Sequence, residues 1–297
     1  MSCPICGDTT FWSILFARDP QVDGWRAELG DNDTYDWRLC RRCGNGYPSH
    51  QPDMRVLRRA WASNRTDEGQ PPAERQKIWA YRLAISRAGA GRSFRLFAPL
   101  AARPSGRFLD IACGLGETVR SFSQHGWAAE GIDADPSTEA FHREAGIQTR
   151  IGQFEQLDVG GGFDIIHIAH AIYFITEPMA FIRTVRERLA PQGLFCIVLA
   201  NFMANEDTSQ PAYAHTFFPC ASSMRYALAL AGFEVVLTRS LSGSTYIAAR
   251  IADQPRLPSV SPAAIRMLHR TKNLRHEAIG RPYLALRRLA KRLVGRA

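Results

Sequence analysis

Between residues 107 and 251, short apolar runs alternate with stretches whose apolar positions recur every three or four residues. The runs at 107–112, 129–133, 148–151, 163–169, 193–199, 234–239 and 245–250 read as strands, with helical patterns between most of the first six. Such alternation predicts an α/β fold, a parallel sheet covered by helices on both faces. Only Ser240-Leu241-Ser242-Gly243-Ser244 joins the last two runs, which is too short for a parallel crossover, so they are expected as an antiparallel hairpin at the sheet edge. Residues 53–104 read as helices: Leu57, Ala60 and Trp61, then Ile78, Tyr81 and Ile85, keep helical spacing on either side of Pro71-Pro72. Residues 1–52 differ, with a β-like run at 9–16 and a polar loop holding Gly24, Gly30 and Asp31 to Asp33 between two cysteine pairs. The chain therefore divides into 1–52, 53–104, 105–252 and a tail, 253–297.

The 297 residues, 45% hydrophobic and 22% charged, suit one core-bearing domain plus something smaller and exclude a fibrous, mucin-like or wholly disordered chain. The longest apolar stretches, such as 194–200, fall far short of the roughly 18 residues that span a bilayer. The N-terminus lacks a basic region followed by an apolar core, which predicts a cytoplasmic protein with reduced cysteines. The net charge of +9 is uneven: residues 254–297 hold eleven Lys or Arg and one acid, Glu277, leaving 26 basic and 27 acidic residues before them. The body is neutral, so the high pI is a weak pointer to nucleic acid. Residues 282–294 place Leu286, Leu289, Ala290 and Leu293 on one helical face and Arg287, Arg288, Lys291 and Arg292 on the other. This pattern fits a helix peripheral at the inner membrane surface or one docked on its own domain, with RNA contact the third reading.

Cys3-x2-Cys6 and Cys40-x2-Cys43, with 33 residues between the pairs, supply four thiolates from two tight turns, each pair followed by a glycine. That pattern matches a tetrahedral zinc site, and four sulfur ligands make it structural. A unit of about 50 residues has little core of its own, so metal binding is expected to supply much of its folding energy. Cys113, Cys196 and Cys220 have no spaced partner and read as core or wall residues.

The run Phe108-Leu109-Asp110-Ile111-Ala112-Cys113-Gly114-Leu115-Gly116 leads from a strand into a helix near Glu117. Its glycines let a ligand approach the backbone where a strand end meets a helix N-terminus. It is not the dinucleotide fingerprint, because Val119 stands where the third glycine belongs and Asp110 ends the strand. A carboxylate there suits a ligand bearing an amino cation better than a pyrophosphate.

Over about 105–250 the chain resembles the class I S-adenosylmethionine-dependent methyltransferases. The likeness rests on Asp110 to Gly116, Gly131-Ile132-Asp133-Ala134-Asp135-Pro136, Phe163-Asp164-Ile165-Ile166, Glu177-Pro178, Leu189-Ala190-Pro191-Gln192-Gly193 and Ala231-Gly232-Phe233. The resemblance implies a Rossmann-like seven-stranded sheet with its last strand reversed. It also implies that Asp110, Ala112, Gly114 and Gly116 surround the methionine end of the cofactor, with Asp133 and Ala134 at the ribose; where the family often has Asp before the adenine-side residues this chain has Gln153 and Phe154, one of which must do that work differently. Tyr173 and Phe174 stand where relatives frequently show a Glu-His pair, so a mechanism using that histidine does not transfer. The cysteine module, with Trp37 to Gly44 and Pro48, is similar to the N-terminal zinc-binding domain of methyltransferases from sugar and natural-product pathways. The Glu-His pair that sugar C-methyltransferases carry after the fifth strand is reduced here to Ala214-His215, which favours O- or N-methylation.

The cofactor carries its own activated methyl group, so the protein must align the acceptor and, for some acceptors, take its proton. His215, in a His-x-x-Phe segment, is the first choice for that base, followed by Tyr173 and His170. His167 is expected to pack within its strand, and His125 and His142 to be solvated on helices. The resulting expectation is a methyltransferase acting on a sugar, a glycan precursor or another small molecule; an RNA methyltransferase or a catalytically silent scaffold is the alternative.

Overall fold

The computed structural model of the chain describes residues 1–14, 37–51, 72–201, 215–241 and 243–275, together with Ala278. The readings at 15–16, 24–33, 57–61, 213–214 and 282–294 lie outside these residues.

A small antiparallel sheet, in the order β1-β2-β3, is formed by β1 (Phe11–Ile14), β2 (Trp37–Cys40) and β3 (Gly46–Pro48). The helix α1 (Pro72–Phe97) starts at the proline pair and leads to the second sheet. That sheet is built from β4 (Arg107–Ile111), α2 (Glu117–Gln124), β5 (Ala128–Asp133), α3 (Glu139–Glu144), β6 (Thr149–Ile151), β7 (Phe163–Ala169), α4 (Pro178–Arg188) and β8 (Leu189–Ala200), then α5 (Ala221–Leu230), β9 (Phe233–Leu241) and β10 (Ser244–Ile251). Its order is β6-β5-β4-β7-β8-β10-β9, parallel from β6 to β8, with β10 antiparallel to both of its neighbours.

All seven strands expected for the Rossmann-like sheet are present, and the reversed strand sits in the interior of the hairpin end. The side chains decide this. Thr245 to Ala249 of β10 are all buried, as a strand flanked on both sides requires, whereas β9 alternates between half-buried and exposed positions and forms the edge.

Side chains of β4 and β7 alternate between two cores. Leu109, Ile111, Ile166 and Ile168 meet Phe181, Ile182 and Val185 of α4 on one face. Phe108 and Ile165 meet Phe97 of α1 and Phe122 of α2 on the other. There Phe108 stacks on Phe122 with centroids 3.8 Å apart, and Phe94 and Trp127 approach Phe122 edge-on at 5.0 and 5.4 Å. The helix α1 buries Ala90, Ser93 and Phe97, while Tyr81 and Ile85, taken from spacing as its apolar face, are 69% and 52% exposed. Helical period was legible there, but the face that docks is the later stripe.

The helix α6 (Pro262–Arg275) lies within the tail and packs on the small sheet through Ile265, which closes over Gly44. Among the described residues no helix is long and apolar enough to cross a membrane. Truncating the fully buried Phe122 by Phe122→Ala is expected to cost about 3–5 kcal/mol, read from urea unfolding midpoints, because it empties the centre of the α1/α2 core.

Candidate active site

The carboxyl ends of β4, β5, β6 and β7 open onto one edge of the sheet, the place where open α/β sheets bind ligands. After β4 the chain turns sharply, with Ala112, Gly114 and Gly116 all at positive φ (55°, 62° and 69°). Gly116 caps α2, and a Cβ there would come within 2.8 Å of Ile147, so only glycine fits both the conformation and the space. Asp133, at the end of β5, accepts the Gly114 amide on Oδ2 at 2.6 Å and the Asp135 amide on Oδ1 at 2.9 Å. Asp135 accepts Ser137 N–H on Oδ1, while its buried Oδ2 has no hydrogen-bond partner among the described residues.

Asp110 points to the other face of β4, where it meets the residue beside it in register. Its Oδ1 lies 2.7 Å from His167 Nδ1, and His167 Nε2 lies 3.2 Å from Ser93 Oγ of α1. All three are buried, so His167 packs within its strand and ties α1 to the strand beneath the glycine loop. At the helix start, Glu117 is buried and paired with Arg120 at 2.7 Å and Arg87 of α1 at 3.4 Å. Ala134 is half-buried beside Asp133. After β6, Phe154 is buried against Phe181 in the core, and Gln153 is half-buried and accepts Gln156 Nε2 at 3.0 Å.

The turn after β7 and the segment at 215–218 form an aromatic wall. His215 stacks on Phe218 at 5.6 Å and meets Tyr173 at 4.9 Å and Phe174 at 5.1 Å. Thr216 stitches the segments together, donating its amide at 2.8 Å and its hydroxyl at 2.9 Å to the Tyr173 carbonyl. The Tyr173 hydroxyl accepts the Ala200 amide at the end of β8. Burial raises the Tyr173 phenol and pushes His215 down to about 3, so both are neutral near pH 7. His170, exposed and at φ 53°, turns instead to Ser244 Oγ at 3.2 Å.

The four cysteines converge at the other side of this wall. Cys3 and Cys43 sulfurs are 3.6 Å apart, Cys6 and Cys40 3.5 Å, and all four lie within 4.8 Å of one another. Sulfurs at about 2.3 Å from a tetrahedral metal would be about 3.8 Å apart, so the set fits one ion. Gly7 and Gly44, at φ 71° and 69°, return their amides to the Cys3 and Cys40 carbonyls at 2.9 and 3.1 Å. The small sheet is joined to the wall by a reciprocal pair of backbone bonds between Gly46 and Phe218, at 3.2 and 2.7 Å, with Trp37 edge-on to Phe218.

A family described as a methyltransferase domain matches residues 81–238, more than half of the chain. The chain belongs to the S-adenosylmethionine-dependent methyltransferases. It is 33% identical over 102 residues to the ubiquinone biosynthesis O-methyltransferase of Parvibaculum lavamentivorans, a match covering 32% of this chain and 40% of that one. A second relative of the same name from Caulobacter sp. strain K31 is 31% identical over 103 residues, covering 32% of this chain and 41% of that one. The chain thus spans about two fifths of the length of these curated relatives. Among solved structures, magnesium protoporphyrin IX methyltransferase from Synechocystis is 15% identical, covers 68% of this chain and 100% of its own, and has a TM-score of 0.48. The CcbJ methyltransferase from Streptomyces caelestis is 17% identical, with coverage of 56% and 89% and a TM-score of 0.46.

Within the methyltransferase domain, sequence reasoning missed one supporting residue outright. His142, expected to be solvated, is 1% exposed: Nε2 meets the Gly114 carbonyl at 2.7 Å and Nδ1 meets Thr149 Oγ1 at 2.9 Å, which bolts α3 and β6 to the glycine loop. Its helix is short, and the burying partners come from β6 and the loop, so spacing within the helix held no signal. His125 is exposed at the end of α2, where it bonds Ser121 O at 2.7 Å and stacks on Phe94.

His215 generates an acid-stability prediction. Its folded pKa of about 3 lies below the ordinary 6.5, so between those values the unfolded chain takes up the proton more readily. Its contribution is complete above about pH 6.5 and is lost as pH falls toward 3. Urea unfolding across this range is expected to show a shallower pH slope for His215→Phe than for the native chain; an identical slope assigns the acid sensitivity elsewhere.

Proposed function

We propose that the protein transfers a methyl group from S-adenosylmethionine to a hydroxyl or amine of a small-molecule or glycan acceptor, and that its four cysteines hold a structural zinc. The observation that carries this reading is the sheet edge itself. The Asp133-braced glycine loop stands at the carboxyl end of β4, and the Tyr173–His215–Phe218 cluster includes the turn after the neighbouring strand β7.

S-adenosylmethionine, when bound, supplies the activated methyl group. Gly114, Gly116 and Ala112 would admit it close to the backbone, Asp133 with Ala134 would stand at its ribose, and Gln153 would stand at the adenine side. Asp110, buried with His167, stands beneath the glycine loop at the methionine end. Family relatives that act on oxygen, the ubiquinone biosynthesis O-methyltransferases, support a hydroxyl acceptor over an amine.

Tyr173 and His215 act on the acceptor side. Tyr173, kept neutral by burial and fixed by its bond to Ala200 N–H, retains a hydroxyl proton to donate to an acceptor oxygen. His215 stays neutral down to about pH 3, so it is in the proton-accepting form throughout the physiological range and orients the acceptor proton without titrating itself.

Calorimetry with S-adenosylmethionine tests the cofactor reading. Micromolar binding is expected, lost in Asp133→Ala and weakened in Asp133→Asn, which retains an amide oxygen for the loop. Absence of binding by the folded native chain overturns the reading. Binding without turnover on hydroxylated, aminated and glycan acceptors or on RNA would instead mark a silent scaffold. For the metal, elemental analysis is expected to give one zinc per chain, abolished by Cys40→Ser together with Cys43→Ser; a metal-free chain with four titratable thiols and a native small sheet refutes it.

A further inference from the structure

The small cysteine sheet and the chain packed on it form a second charged feature, away from the sheet edge that carries the methyltransferase chemistry. Residues 1–14, 37–51 and 254–275 hold Arg38, Arg41 and Arg42, five more Lys or Arg between 256 and 275, and one carboxylate, Asp8. Asp8 is engaged by the amide and hydroxyl of Thr10, each at 2.6 Å. Among the described residues no carboxylate pairs with Arg41, Arg266 or Arg270.

These guanidinium groups are concentrated around one aromatic ring. Arg41 comes from the turn after β2 and Arg266 from α6, and the Cζ of each lies 5.0 Å from the Trp12 centroid. Trp12, Ala263, Arg266, Met267 and Arg270 line a shallow groove between β1 and α6. The inner side of α6 is fixed by Ile265 and His269, 6% and 4% exposed. Its outer side shows Met267 and Leu274, two turns apart, exposed by 67% and 70%, with Arg270 between them. The following chain, 276–297, carries six more Lys or Arg and one acid.

Charge alone fits any polyphosphate. The two exposed apolar side chains narrow the choice, because they gain nothing from phosphate groups, while a bilayer offers phosphates to the guanidinium groups and an acyl boundary to Met267 and Leu274. We propose that the Trp12–α6 face is a docking surface for an anionic lipid bilayer, with Arg41, Arg266 and Arg270 at the lipid phosphates and Met267 and Leu274 dipping below them. This surface lies outside the region matched by the methyltransferase family, and the inference stands whichever acceptor that domain uses.

Cosedimentation of the full chain with vesicles of pure phosphatidylcholine and of equimolar phosphatidylcholine and phosphatidylglycerol tests it. Partition onto the anionic vesicles only is expected, falling as salt is raised. Arg266→Ala with Arg270→Ala should lower that partition about thirty-fold, from roughly one elementary basic contribution for each side chain. Met267→Ser with Leu274→Ser, which leaves the charge unchanged, should lower it at least as far. Native circular dichroism and an unaltered melting temperature in both variants separate loss of docking from loss of fold. Equal partition onto the two vesicle types, or anionic binding that both variants retain, overturns the assignment. Single-stranded RNA that binds the native and Met267→Ser, Leu274→Ser chains equally and strips them from vesicles overturns it in favour of nucleic acid. A concentration-dependent dimer abolished by the same apolar variant overturns it in favour of a second copy of the chain.

Discussion

The carboxylate of Asp133 holds the loop after β4 and the loop after β5 in one arrangement. Its two oxygens accept the Gly114 and Asp135 amides, groups that the strand ends leave without ladder partners. The sharp path through Ala112, Gly114 and Gly116 is also tied to β5 by the Cys113 amide on the Ile132 carbonyl, and His142 braces it through the Gly114 carbonyl. A buried carboxylate is stable only when donors surround it. The same carboxylate therefore ties the ends of two neighbouring strands together.

A second junction joins the cysteine sheet to the aromatic wall. The cysteine sheet is too small to bury much apolar surface by itself. It gains a partner by exchanging backbone bonds between Gly46 and Phe218, and Phe218 is the ring on which His215 stacks. Thr216 continues the chain of contacts to the Tyr173 carbonyl. The four-sulfur centre is thus linked through a few short contacts to the aromatic wall.

The histidines show how environment, and not residue type, assigns roles. His167 sits between Asp110 and Ser93 as a link between strand and helix, and His142 serves as a brace with both nitrogens engaged. His215 is enclosed by rings and held neutral, whereas His170 faces solvent beside Ser244. His215 is set apart by its aromatic enclosure.

Order and type of the elements of the large sheet followed from the sequence, whereas β2, β3 and α6 did not. Period-two and period-three-to-four apolar patterns located its seven strands, and the glycines marked the sharp turn after β4. The spacing of the cysteines already implied that four sulfurs meet at one point. These features depend on residues close together in the chain, where backbone sterics and burial act locally. The tertiary structure decided what is long-range. It placed β10 inside the hairpin end of the sheet, moved the docking stripe of α1 to Ala90, Ser93 and Phe97, and set α6 on the cysteine sheet. It also chose the partners of Asp110 and His142, which lie 57 and 28 residues away. A buried polar side chain must find its donor or acceptor wherever strand register brings one within reach, and register between distant strands is a property of the assembled sheet, not of the residues beside it.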